Sequence, residues 1–453
     1  MGLKTKISKL TKKELVDLLT AVAETDENIE TMLEYKLSGG EDEIKESKKL
    51  IRTYINRYKW KGFISLRYVP SSLQGAEMVL DKGRDKLAAG ESEMAAKLAI
   101  AVLSIVVDMM QYADDSNGAI GGAIEESISL IGEAASYSVI SDDKNTQKKV
   151  FQLIMKEANH TRYDDWSNWQ FDLLKICTLF SIEPTMRQKL EKKLNQLLEK
   201  LSGESSSWSK EFDTIEIMLL QLEILELNQE WERAGEFIYE HIQYSDFREK
   251  AIRYELENEN TGSALKLSRE GQIQDKELPG LVTKWKEYEL KIYEVLEDIE
   301  NQRKILMELV FNNSFEAYKK LKNLYNEEEW KTVAEKIFDG FEETGNNATY
   351  IEIAKEENRQ DKLYRICKED NFYIQELYPY LIDEYHVEAE MIFKNFIHDQ
   401  AEPAGSRKHY RGVCKLIWKY KKAFEKTSFI QLKEELQEKY KRRPTFLDEL
   451  EKV

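Results

Sequence analysis

Residues 11–22 read TKKELVDLLTAV, and that dozen sets the pattern for the whole chain. Thr11 and Glu14 stand three apart, the spacing of a capping box: the Thr11 hydroxyl accepts from the Glu14 amide while the Glu14 carboxylate reaches back. Leu10 and Leu15 flank it as a hydrophobic staple. Leu15, Leu18, Leu19 and Val22 then recur at i, i+3, i+4 and i+7, the stripe of an amphipathic helix. A second short helix is expected around Ile29, Met32 and Leu33, stopping near Ser38-Gly39-Gly40.

The same period continues downstream. Helices are expected over 44–58, 73–87, 94–112, 123–135, 147–158, 171–180, 185–201 and 215–227, and no sustained apolar/polar alternation appears between hairpin turns. The breaks are short: Ser141-Asp142-Asp143, Ser202-Gly203, Ser205-Ser206-Ser207, Gly271, Pro279-Gly280 and Gly345-Asn346-Asn347. Short connections make antiparallel neighbours. The expected fold is therefore all-α, a TPR-like solenoid of stacked antiparallel helix hairpins. Its expected parts are an N-terminal helical domain (1–140), a middle helical region (141–227), a helical-repeat region (228–403) and a basic C-terminal segment (404–453). One internal echo points to repetition. Shifting 228–271 by 99 positions gives seven identities in 44, among them Glu230-Trp231 on Glu329-Trp330, and 99 is three times 33, near the period of helix-pair repeats.

Composition agrees. The 453 residues include only 6 prolines and 20 glycines, too few for a sandwich or barrel that turns every ten residues or so. Charged residues at 33% and apolar ones at 42% suit helices with one buried and one solvated face. Cys177, Cys367 and Cys414 are scattered and odd in number, so they form neither a disulfide framework nor a zinc ligand pair, and a reducing compartment is expected. Lys4, Lys6 and Lys9 precede no apolar core, so the N-terminus does not read as a secretory signal. The most apolar stretch, MAAKLAIAVLSIVVDMMQY at 94–112, carries Lys97 and Asp108, each costing about 2.5–3.5 kcal/mol at a bilayer centre. It reads as a buried core helix, and the chain as a cytoplasmic protein without a membrane partner.

The net charge of −17 argues against a protein that coats nucleic acid overall, yet the charge is unevenly spread. Residues 404–453 hold 14 Lys/Arg against 7 Asp/Glu, leaving 53 against 77 in the remainder. On one expected helix, Lys408, Arg411, Lys415, Lys419, Lys422 and Lys426 recur at spacings of three or four and share a face. Tyr410, Val413, Cys414, Ile417, Tyr420 and Phe424 form the complementary apolar stripe. A second helix over 432–440 and a last turn over 447–450 follow. Such a basic stripe can bind phosphates or an acidic protein. It can equally be solvated, or pair with the acidic body.

Two clusters invite chemistry. In Asp114-Asp115-Ser116-Asn117-Gly118-Ala119-Ile120, Asp115, Asn117 and Gly118 match calcium-loop positions, but Ala113 and Ile124 stand where the first and last ligands belong. A polar turn with Gly118 at positive φ is the plainer account. His160, Asp164, Asp165 and Trp166 could make half of an acid–base site, or simply cap a helix with Trp166 and Trp169 in the core. His241, His386, His398 and His409 form no metal-ligand spacing, and no glycine-rich phosphate loop or nucleophile elbow occurs. The expectation is a non-enzyme without cofactor or metal.

Some segments resemble a known family. Ser406-Arg407-Lys408-x-Tyr410-Arg411-x-Val413-Cys414-x-Leu416-Ile417 and Tyr440-Lys441-Arg442-Arg443-Pro444-x-x-x-Asp448-Glu449-Leu450 resemble the C-terminal tail of bacterial SWIM-type zinc-finger proteins. Lys13-Glu14-Leu15-Val16-Asp17-Leu18-Leu19 and Ala113-Asp114-Asp115-Ser116 are similar to that family's helical region. The family's CxCx(n)CxH finger is absent, so the resemblance implies no zinc ligands here: the chain matches the finger-less helical part, or a relative lacking the finger. Because the family is often linked to helicases, the resemblance implies a partner in a nucleic-acid-processing complex, a helicase among the candidates. The expected function is thus a bacterial helical-repeat scaffold for an unidentified protein partner, with accessory nucleic-acid binding through the basic C-terminal helix as the alternative.

Overall fold

A computed structural model describes Ile7, residues 10–25, Glu30, Thr31, Leu33, Tyr35 and residues 43–203, 208–344 and 347–453. Most of the expected second helix, its stop at Ser38-Gly39-Gly40, the Ser205–Ser207 break and Gly345-Asn346 lie outside the described residues. Among those described, the chain is all-α. The principal helices are α1 (Lys12–Ala23), α2 (Glu43–Tyr58), α3 (Val69–Ala88), α4 (Ser92–Met109), α5 (Ala119–Ile140), α6 (Lys144–Ala158), α7 (Ser167–Thr178), α8 (Pro184–Ser202), α9 (Trp208–Leu227) and α10 (Trp231–Glu240). They continue through α11 (Ser245–Glu257), α12 (Thr261–Gln274), α13 (Pro279–Val295), α14 (Ile299–Phe311), α15 (Phe315–Asn323), α16 (Glu327–Thr344), α17 (Asn347–Glu356) and α18 (Gln360–Glu369). Last come α19 (Ile374–Leu377), α20 (His386–Ala401), α21 (Arg407–Ala423), α22 (Lys426–Lys439) and α23 (Pro444–Leu450). The only extended pairings among the described residues are two isolated bridges, Trp60 with Phe63 and Ile64 with Ala113.

The chain divides into two compact units, Met1–Phe247 and Arg248–Val453. In the first, α4 is the axle. It packs against α2, α3, α5 and α6, and Leu98, Val102, Leu103, Val106 and Met109 are fully buried. The stretch 94–112 is therefore a core helix, and none among the described residues is long and apolar enough to cross a membrane. In the second unit, α12 packs on α13, α13 on α14, α14 on α15 and α17 on α18, and the C-terminal helices close with α20 on α21 and α21 on α22 and α23.

One device that folds a helix back on its predecessor recurs. Seven connections are three residues long with a left-handed residue at the centre: Gly90, Asp142, Gln229, Glu259, Glu297, Asn313 and Asn358. In six of them the third loop residue donates its amide back across the turn to the last helical carbonyls. Glu91 bonds Lys86 and Glu230 bonds Leu225; Asn260, Asp298, Ser314 and Arg359 bond Glu255, Tyr293, Leu309 and Ala354, all at 2.8–3.1 Å. This 6→1 bond is the Schellman closure, normally built on glycine. Here Gln, Glu or Asn holds the position in all but one case.

Several sequence expectations change. The capping box at Thr11 forms, with the Thr11 amide donating to Glu14 at 2.7 Å, but Val16, Leu18, Leu19 and Val22 are exposed, so the α1 stripe seals nothing among the described residues. Gly271 is not a break. It lies inside α12, where an added Cβ would sit 2.9 Å from the fully buried Trp285 ring and 2.8 Å from Arg248. Pro279 likewise opens α13 at its first turn, where its missing N–H costs nothing. The 99-residue echo places Trp231 and Trp330 in first helical turns, yet Trp231 is 62% exposed and Trp330 5%. The repeating unit is the hairpin loop, not that echo.

Two measurements follow from this packing. Gly271→Ala forces overlap with Trp285, so unfolding experiments should show a loss of about 1–3 kcal/mol. Glu297→Gly relieves a left-handed residue whose side chain is exposed and should raise stability by a few tenths to about 1 kcal/mol. A fall in stability with Glu297→Gly would contradict the strained-turn account.

Candidate functional site

The basic stripe is carried by α21, which starts cleanly: the Ser406 hydroxyl accepts from the His409 amide at 3.4 Å. Tyr410, Val413, Ile417 and Tyr420 face inward and are buried, as their period requires. The helix then ends at Ala423, because Phe424 turns extended (φ −120, ψ 174) to seat its ring against Tyr420 and Phe393. Lys426 therefore begins α22 and does not belong to the same helix face, a correction to the six-residue stripe. The remaining five share α21. Of these, Arg411 donates to Glu449 at 3.4 Å, Lys419 to the Gln375 carbonyl at 3.3 Å, and Lys422 lies 3.5 Å from the centroid of the Trp418 ring. Lys408 and Lys415 are exposed.

The tail folds back to meet this helix. Glu449 in α23 is only 6% exposed and is encircled by cations: Arg407 at 2.7 Å, Lys452 at 3.2 Å and Arg411. Hydrogen bonding from Arg407 and then Lys452 outweighs desolvation and holds the Glu449 carboxyl down at about 2. Asp448 pairs with Arg407 and with Lys452. Tyr410 stacks on Phe446 with centroids 5.0 Å apart. Arg443 donates to the carbonyls of Ala401, Ala404 and Glu402 at 2.9–3.1 Å, capping the end of α20. The quoted Tyr410, Arg411, Arg443, Asp448 and Glu449 are thus largely a clamp on the C-terminal helices.

Between α21 and the tail lies a groove of about 500 Å3. Cys414, the half-exposed Trp418 and Val453 give it an apolar floor, Arg411, Lys415, Lys419 and Lys452 rim it, and Glu449, already encircled by its own cations, is the one side-chain carboxylate in the lining. The shape suits an apolar side chain flanked by negative charge. The sequence pointed to the basic face but not to the groove, which needs the contact between α21 and the terminal residues.

The other two clusters are occupied by structural bonds. The Asp115 carboxylate accepts from the amides of Ile120 at 2.7 Å and Gly121 at 3.0 Å, Asp114 accepts from Ser116, and Asn117 from Ala119. Gly118 takes φ +72, as a polar turn demands. His160 accepts the Arg162 amide at its Nδ1 at 3.2 Å, capping a short 3-10 turn. Arg162 pairs with the exposed Asp108 at 2.9 Å and the buried Glu157 at 3.2 Å, and Tyr163 donates to Glu157 at 2.9 Å. Trp166 and Trp169 stack on each other, with Trp166 37% exposed and so outside the core expected for it.

No family model matches the chain, and no curated protein matches it. Among solved structures, one similar chain is a circular tandem repeat protein with novel repeat topology and enhanced subunit contact surfaces. It is 16% identical, with 90% of this chain and 94% of that one covered, at a TM-score of 0.24. So loose a superposition carries no argument, and the fold rests on the helix contacts themselves.

The Glu449 clamp carries a pH signature. Its folded value lies below the ordinary 4.5, so its contribution is complete above that value and is lost as pH falls toward about 2. Thermal melts of the wild type should drop across that window, and Glu449→Gln should be less stable at neutral pH with a flatter acid limb. Parallel acid limbs for the two proteins would refute the clamp.

Proposed function

We propose that the chain is a non-enzymatic helical scaffold whose C-terminal groove docks a partner protein through a segment with an apolar anchor and flanking carboxylates. One observation carries the reading: Trp418, 50% exposed, stands in an apolar-floored groove rimmed by Arg411, Lys415, Lys419 and Lys452. Aromatic residues and arginine are the usual anchors of protein interfaces, and rim charges steer approach and select partners. The resemblance to the helical region of SWIM-type proteins supports a partner in a bacterial, cytoplasmic nucleic-acid-processing complex, with a helicase as one candidate.

The alternative is that α21 binds nucleic acid directly. It is weakened by the number of cations on that face. Lys426 sits on another helix, and the five stripe cations that remain fall short of the 6–10 phosphate contacts of a strongly salt-dependent binder.

A paired experiment separates the readings. Trp418→Ala should lose the protein partner captured by the wild-type chain from its native cells, while Lys415→Glu/Lys419→Glu should slow its association in a salt-dependent way. Retained capture by Trp418→Ala would refute the groove. Submicromolar DNA or RNA binding that collapses with salt and is lost in Lys415→Glu/Lys419→Glu would establish the alternative.

A further inference from the structure

Residues 48–68 contain seven Lys/Arg and no Asp or Glu, within a chain of net charge −17. Aromatic residues interleave with them: Tyr54, Tyr58, Trp60, Phe63 and Tyr68. The structure gathers this segment into one feature at the end of α2. Trp60 and Phe63 exchange backbone hydrogen bonds at 2.8 and 3.0 Å around Lys61 (φ +49) and Gly62 (φ +86). Two central residues at positive φ make a type I′ turn, which holds its flanking pair in fixed register. The fully buried Ile64 fastens the turn to the core: its amide donates to the Tyr112 carbonyl, and its carbonyl accepts from Asp114, both at 3.0 Å.

The result is a rigid protrusion whose apolar rings face outward. Trp60 is 77% exposed and Phe63 50%, although an aromatic pair fixed by backbone bonds is costly to leave in water. Beside them opens a cleft of about 570 Å3 lined by Arg57, Lys59, Trp60, Phe63 and Tyr68, with Tyr58 and Tyr68 stacked 5.9 Å apart. The cations attend the rings: Lys59 lies 3.4 Å from the Tyr112 ring centroid, and Arg67 lies 5.5 Å from that of Tyr68. A cationic ligand would be repelled by this rim, whereas a planar aromatic ligand carrying negative charge finds both stacking faces and counter-charge.

We propose that this hairpin and its cleft bind single-stranded nucleic acid, with bases stacking on Trp60 and Phe63 and phosphates held by Arg57, Lys59, Lys61 and Arg67. Stacking on aromatic faces beside a basic track is how single strands are held without sequence preference, and a duplex keeps its base faces hidden. The site lies in the first compact unit and does not depend on the C-terminal groove.

The test uses the full chain with labelled twelve-nucleotide dT and rU strands, a duplex of equal length, and anionic phosphatidylserine vesicles, read by fluorescence anisotropy and by Trp quenching. Both single strands, or one if the 2′-hydroxyl is read, should bind more tightly than the duplex. Trp60→Ala should weaken binding about 5- to 150-fold, and Trp60→Phe should recover most of it. Lys59→Ala/Lys61→Ala should lower the salt slope by about 1 to 2, while Lys415→Glu/Lys419→Glu should leave binding unchanged. The exposure of Trp60 makes misfolding of the variant avoidable, and an unchanged circular-dichroism melt checks it. The proposal is overturned by no single-strand binding at low salt, by duplex binding of equal strength, by indifference to Trp60→Ala, or by Trp60-dependent binding to vesicles alone.

Discussion

The architecture depends on a single backbone closure: an amide reaching back five residues to a helix carbonyl around a residue held at positive φ. A three-residue loop keeps the outgoing helix close beside the incoming one. The same closure recurs at Glu91, Glu230, Asn260, Asp298, Ser314 and Arg359, so six connections turn the chain with one backbone bond. The side chains paying for this conformation are polar and solvated, and each left-handed non-glycine residue costs about 1–2 kcal/mol. The packing of the paired helices must exceed that cost, which the buried faces of α12–α15 supply.

A second layer of order comes from carboxylates that collect donors from neighbouring helices. Glu357, in the loop after α17, accepts from Lys322 at 2.7 Å and Trp330 at 2.9 Å as well as from the Tyr318 hydroxyl. Burial raises its carboxyl, but those three bonds outweigh the effect and hold it below the ordinary range. Glu289 accepts from Arg269, Gln272 and Tyr293, and Glu342 from Lys362, Arg365 and Tyr350. An acidic chain that stacks helices closely thereby converts part of its surplus charge into cross-links. Removing one member of such a set leaves the carboxylate desolvated and short of partners.

Much of the fold could be read in advance, and the reasons are specific. The capping box at Thr11, the α4 apolar run and the Tyr410–Tyr420 stripe are local patterns whose period survives folding. Gly271 misled because a glycine that breaks a helix and one that admits a tryptophan look alike until Trp285 is placed beside it. Lys426 misled because the extended Phe424 is set by contacts with Phe393, 31 residues upstream and on another helix. The recurring loops escaped notice because Gln, Glu, Asn and Asp stand where glycine would have announced them. The stripe on α21 was visible as charge, while its groove needed the returning terminus. The Trp60 hairpin did carry a local sign, a run of alternating basic and aromatic residues around Lys61-Gly62, too short to show the sustained alternation of a long strand.

The brevity of the hairpin loops reaches beyond geometry. A protease must draw several consecutive residues into extended form before it can cut, and a three-residue connection tied by its own 6→1 bond has no such slack. Between α13 and α15, where both connections carry that bond, a scissile segment becomes available only when a neighbouring helix lets go. Cleavage there would track the population of opened molecules, so digestion rates in that stretch read out cooperative opening free energy directly.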